Sequence, residues 1–139
     1  MRRARPFLAA RLPAALLAAA LCATLGATHG TARADSWIDD DVAVLQVLDK
    51  VVSRISTIDA PIGKPVAFGT LEITVRACRK HPPEEPPESA AFIEIREKKA
   101  DEAAKLEFSG WMFASSPALS TLQDPVYDVW VVDCKNSKS

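Results

Sequence analysis

Two stretches flanking a proline-rich loop restrict what this chain can fold into more than any other feature. In Thr70–Arg79, Leu71, Ile73, Val75 and Ala77 alternate with Glu72, Thr74 and Arg76. In Ala90–Glu97, Ala91, Ile93 and Ile95 share one face. Alternation at period two marks a strand with one face in a core and one face wet. Between them lies HPPEEPPES, His81 to Ser89, with four prolines and three glutamates. Proline cannot donate to a ladder, so this loop is an extended, exposed excursion outside any central sheet. Cys78 falls on the polar phase of its strand, so a buried sulfur there requires a strand end or a local bulge.

The remaining segments extend the same pattern. Val44, Leu48, Val51, Ile55 and Ile58 recur at three and four residues, which is helical spacing. The β-branched run VVSRISTI and the following turn APIGKP oppose it, so a strand is expected over Lys50–Asp59, with a short helical or irregular lead-in. Lys98–Ala104 reads as a charged connection with one helical turn. Leu106 and Phe108 start another strand in phase, and Trp111 and Phe113 appear in the opposite phase, which places a bulge at Ser109-Gly110. Ser115-Ser116-Pro117 reads as a Ser-capped helical turn ending before Asp124-Pro125. Val126–Cys134 is apolar on both faces, Tyr127, Val129 and Val131 against Val126, Trp130, Val132 and Cys134, as in a central strand or one covered on both sides. The expected fold is all-β: a small β-sandwich or partly open barrel of five to six strands with one short helical turn.

The first 34 residues read as a signal and not as fold. Arg2, Arg3, Arg5 and Arg11 precede the Ala/Leu-rich run Leu12–Leu25, and Ala32-Arg33-Ala34 supplies a small-x-small cleavage pattern. That run is about 14 residues, short of the roughly 20 that cross a bilayer, so no membrane anchor is expected after cleavage behind Ala34. Residues 35–42 are then a flexible acidic arm, 43–135 a single β-rich domain and 136–139 a tail. Five of the 17 basic residues and none of the 18 acidic ones fall in the signal, so residues 35–139 carry a net charge of −6. This balance argues against nucleic acid or anionic lipid as a partner. Cys22 leaves with the signal. Cys78 and Cys134 remain and form a disulfide in an oxidising compartment, closing a loop of about 57 residues worth roughly 4 kcal/mol.

The segments FGTLEITVRACRKHPPEEPPESAAFIEI and FSGWMFASSPALSTLQDPVYDVWVVDC resemble a secreted alphaproteobacterial family classified as domain of unknown function 2155. The resemblance runs from about Val44 to Lys135. It implies export, one compact unit and Cys78–Cys134 as a pair; it implies no activity, substrate or catalytic residue.

No constellation names a reaction. Cys78, His81 and Cys134 offer two sulfurs and an imidazole to a soft metal or a redox role, but a fourth ligand is missing, so neither metal nor cofactor is expected. Ser109, Ser115 and Ser116 are available nucleophiles, and His81 is the sole histidine after the signal, which leaves a small envelope hydrolase as the alternative reading. Ser115-Ser116-Pro117 lacks the glycines of a nucleophile elbow. The acidic pairs Glu84 with Glu85 and Asp124 with Asp128 have no spacing that singles them out. Trp111, Phe113 and Trp130 are candidate partner contacts, weighed against the need of a small domain for aromatic core mass. The sequence therefore points to a non-enzymatic periplasmic module that binds an envelope protein or polymer.

Overall fold

The structure, a computed structural model, describes residues 34, 36–120, 122 and 124–138. The expected signal lies outside the described residues apart from Ala34. Among the described residues no helix is long and apolar enough to cross a membrane.

Among the described residues eight strands form two antiparallel sheets, with no closed barrel. They are β1 (Ile38–Asp40), β2 (Val42–Asp49), β3 (Arg54–Pro61), β4 (Val66–Phe68), β5 (Leu71–Lys80), β6 (Ser89–Glu97), β7 (Lys105–Phe113) and β8 (Tyr127–Lys135). The larger sheet runs β1-β5-β6-β7, with β4 also paired to β5; the smaller runs β3-β2-β8. This is the expected all-β sandwich, with more strands than expected because β1 and β4 are three-residue additions on the same side of β5.

One core lies between the sheets. Ala43, Leu45 and Val47 from β2 and Val129, Val131 and Cys134 from β8 join Leu71, Ile73, Val75 and Cys78 from β5, Ala91, Ile93 and Ile95 from β6, and Met112 from β7. Each set steps by two residues, as pleated strands require, except where a bulge intervenes.

Three bulges set which side chains reach that core. In β5 the register passes from Val75↔Ile93 to Ala77↔Phe92, so Arg76 is the extra residue and Cys78 turns inward. In β7 it passes from Ile95↔Phe108 to Arg96↔Leu106, so the bulge is at Glu107 and not at Ser109-Gly110. From Phe108 onward β7 keeps one phase, with Met112 buried and Trp111 and Phe113 outside. In β8 the step from Val131 to Asp133 leaves out Val132 and brings Cys134 into the core.

Other expectations are corrected. Val42–Asp49 is a strand with no helical or irregular lead-in, and Lys50–Ser53 is a turn and not strand. The helical spacing misleads because β2 carries apolar residues on both faces, which satisfies either period. Asp49 Oδ1 accepts the amides of Val51 at 2.9 Å and Val52 at 3.2 Å, and Ser53 takes φ +53°, closing a β2–β3 hairpin without glycine or proline. β8 is an edge strand and β2 is central. The acidic arm is tied down: Ile38–Asp40 pairs with Cys78–Lys80. Residues 98–104 contain no helical turn. Among the described residues the helical turn is Pro117–Leu119, which is 3₁₀ and has no side-chain cap from Ser116.

Candidate functional site

The bulge at Arg76 fixes the site. It turns Ala77 and Arg79 onto the outer face of the five-stranded sheet while turning Cys78 in. Two cross-strand rows result. One runs Asp39, Arg79, Ala90, Phe113; the next runs Ala77, Phe92, Trp111. Ala90 has the smallest side chain of its row and becomes the floor of a groove of about 210 Å³ lined by Trp37, Arg79, Ala90, Trp111 and Phe113.

The groove walls are braced from behind. Phe92 meets Trp111 edge-on, centroids 5.6 Å apart. Trp37 meets the His81 ring at 4.2 Å, also edge-on. Arg79 Nε donates to Asp39 Oδ1 at 2.6 Å, which lays the guanidinium stem along the groove. Trp37 and Trp111 are each 37% exposed, so both indoles combine a packed edge with a solvent-facing one. Two of the three aromatic residues singled out from the sequence thus come together, and they lie outside the core. Trp130 is not with them. It stands on β8 in the other sheet, half-buried, and lines a separate cavity of about 220 Å³ with Pro117, Ala118 and Leu122. Trp37, Arg79 and Ala90 were missed. The alternation of Ala90 against Ala91 and the lone Trp37 among acids were the available signals.

His81 serves the groove by anchoring. Its Nδ1 lies 2.9 Å from the Pro86 carbonyl oxygen and 3.9 Å from Glu85 Oε2, and its Nε2 is buried without a hydrogen bond. Glu85 in turn accepts the Ser36 amide at 3.3 Å. The proline loop, the arm and Trp37 are therefore one assembly.

The nucleophile candidates sit elsewhere. The Ser115 hydroxyl and amide both donate to Glu88, whose other amide donor is Ser89 at 2.9 Å. Partial burial pushes the Glu88 carboxyl up, but the Ser115 hydroxyl, the Ser115 and Ser89 amides and the field of His81 outweigh it and hold the group below its ordinary value. A carboxylate so held is a weak base, and among the described residues no hydrogen bond joins His81 to a serine. Asp124 and Asp128 are structural as well. Asp124 Oδ1 accepts the Val126 and Tyr127 amides at 2.8 Å, and Asp128 pairs with Lys50 at 2.8 Å. Cys78 and Cys134 are bonded to each other, Cα atoms 5.7 Å apart and both buried, which withdraws them as thiolate ligands.

Comparison with known proteins places the sequence. A family model described as an uncharacterized protein conserved in bacteria (DUF2155) matches residues 43–134. The chain belongs to that family. The DUF2155 match begins at Ala43 and ends at Cys134, which face each other across β2 and β8. It thus takes in most of both sheets, with Arg79, Ala90, Trp111 and Phe113, and leaves out β1 and Trp37. A relative, the uncharacterized protein RP359 of Rickettsia prowazekii (strain Madrid E), is 32% identical over 87 residues, covering 63% of this chain. The match spans 56% of that relative's length, so the chain corresponds to little more than half of it. No solved structure gave a significant match.

Proposed function

We propose that the protein is a non-enzymatic binding module of the bacterial envelope, exported to the periplasm with residues 1–34 removed, and that the aromatic groove is its contact surface. The observation that carries this reading is the outward placement of Trp37, Trp111 and Phe113 around the Ala90 floor. A sandwich this small gains most by burying its aromatic rings, and burying a large side chain contributes roughly 2–3 kcal/mol. Here the rings are spread over a solvent-facing sheet surface beside a cation. Exposed Trp with Arg in a shallow depression is the composition of binding hot spots. The acidic balance of residues 35–139 fits a partner that is a protein or a neutral envelope polymer.

The test places a photo-crosslinking amino acid at Trp111 or at Lys64, a surface site on the β3–β4 turn, in cells whose periplasmic fraction is then separated. The expected result is a periplasmic protein with a reproducible adduct from position 111 and none from position 64. In parallel, purified cell-wall sacculi should retain the protein less well after Trp111→Ala if the partner is polymer. Absence from the periplasmic fraction overturns the location. Neither adduct nor Trp111-dependent retention overturns the groove.

A further inference from the structure

The aromatic walls of the groove stand beside polar groups whose charges cancel. Both arginines of β5 are paired with a carboxylate on a neighbouring strand: Arg79 Nε with Asp39 Oδ1 on β1 at 2.6 Å, and Arg76 Nη2 with Glu94 Oε2 on β6 at 2.8 Å. Asp39 and Arg79 belong to the same cross-strand row as Ala90 and Phe113, so their pair forms one rim of the groove. The Asp39 side chain is 77% exposed and that of Arg79 47%. Among the described residues, Asp39 Oδ2 and the two Nη groups of Arg79 make no hydrogen bond. A free acceptor and free donors therefore lie side by side, at zero net charge, next to Trp37, Trp111 and Phe113.

That combination selects among ligands. An anionic chain meets Asp39 and a net charge of −6 over residues 35–139, and a cationic chain meets Arg79. A proline-rich segment fits aromatic grooves but offers carbonyl acceptors with few N–H donors, so it would strip Asp39 Oδ2 of water and leave it unpaired. An uncharged sugar fits every part. Its ring has an apolar face for the indoles, and its hydroxyls both donate and accept. Ala90 narrows the choice further: the smallest side chain of its row leaves an apolar hollow that suits a methyl group. The acetamido group of an N-acetylated amino sugar carries such a methyl beside one N–H and one C=O. At about 210 Å³ the groove is smaller than the roughly 300–1,000 Å³ of pockets that enclose a drug-sized ligand, so it grips one part of a chain lying across the open sheet.

We propose that the groove binds the uncharged sugar backbone of the cell-wall glycan through its N-acetylated amino sugars. One ring packs on the indoles of Trp37 and Trp111, its acetamido methyl sits over Ala90, and its hydroxyls pair with the Nη groups of Arg79 and with Asp39 Oδ2. This rests on the groove being the contact surface, and of the two partners that reading allows it selects the polymer. The Asp39–Arg79 pair then sets specificity. Without Asp39 the guanidinium is unopposed, and the preference turns toward acidic sugars.

The test titrates the purified protein, its disulfide intact, with chitotetraose and follows the amide and indole resonances. Saturable binding with a Kd of about 1 mM or tighter is expected, with shifts gathered at Trp37, Arg79, Ala90, Trp111 and Phe113. Cellotetraose, which has the same linkage and lacks the acetamido group, should bind at least about tenfold more weakly. Trp111→Ala should weaken chitotetraose binding at least about tenfold, and Trp111→Phe, which keeps a ring, by no more than about threefold. Asp39→Ala should weaken it about threefold and strengthen the binding of tetragalacturonate. No saturation at about 10 mM chitotetraose overturns the proposal. So do shifts centred elsewhere, equal binding of cellotetraose, or tighter binding of a proline-rich peptide or tetragalacturonate by the unaltered protein. Failure to bind chitotetraose together with a protein adduct at position 111 in cells overturns the glycan and keeps the groove as a contact surface; failure of both overturns both.

Discussion

The two ends of the sandwich are held by different means. At one end the Cys78–Cys134 bond ties β5 to β8, and polar contacts surround it: Ser89 to Asp133 at 3.1 Å, Lys80 to the Cys134 carbonyl at 2.8 Å, Arg79 to Asp39, and Ser137 to Asp41. At the other end the sheets meet by packing. Tyr127 on β8 lies edge-on to Phe68 at 5.8 Å and against Gly69, and the Lys50–Asp128, Lys99–Glu97 and Lys105–Glu107 pairs and the Asp124 turn each stay within one sheet or its loops. The groove is built at the first end, and the exposed tip of the β2–β3 hairpin, with Val51 and Val52, lies at the second. A binding face that must keep its shape sits where the cross-links are dense; an apolar hairpin tip sits where little is fixed.

Removing the cross-link should give the largest effect. Reduction, or Cys78→Ala with Cys134→Ala, should lower stability by about 4 kcal/mol, read from urea unfolding with and without reductant. If the polar contacts alone held that end, the change would be far smaller. At the packed end, Gly69→Ala should cost about 3 kcal/mol, because Gly69 has φ +56° and an added Cβ would overlap the Tyr127 ring and hydroxyl. Gly63 has φ +76° but open space around it, so Gly63→Ala should cost about 1 kcal/mol. The difference between those two glycines measures the Tyr127 contact separately from backbone strain.

Two smaller effects sharpen the contrast. The Glu88 carboxyl lies below its ordinary value of 4.5 in the folded protein, so its contribution to stability is complete above pH 4.5 and drains as pH falls through the folded value. Glu88→Gln should therefore be less stable than wild type near neutrality, with the two curves converging in acid, as chemical denaturation across pH 2–7 would show. Val52→Asp, at the exposed hairpin tip, should alter the stability of dilute protein by no more than about 0.5 kcal/mol.

The contrast also explains what could be read in advance. The alternation at Leu71–Val75 and Ala91–Ile95 announced a half-buried sheet, and the two cysteines announced their bond. Bulges leave little trace, because any residue can be the extra one. Arg76, Glu107 and Val132 carry no glycine or proline, yet they decide that Cys78 faces in and Trp111 out. The only glycine near the change of phase in β7, Gly110, drew the bulge to the wrong place. The Lys50–Ser53 turn was hidden for a similar reason: its signal is the single carboxylate of Asp49. Trp37 was legible as an oddity among acids, but its role depends on His81, more than 40 residues away, and only the pairing of β1 with β5 brings them together.

The position of β8 has a consequence for how the molecule can be dismantled. β8 is a wall of the smaller sheet and holds Val129, Val131 and half of the disulfide. Without residues 127–135, the smaller sheet is reduced to the two-stranded β2–β3 hairpin and the core loses Val129, Val131 and Cys134. A protease that cuts into β8 would meet no smaller stable core at which to stop. Limited proteolysis within β8 should leave either whole domain or peptides, with no folded fragment between.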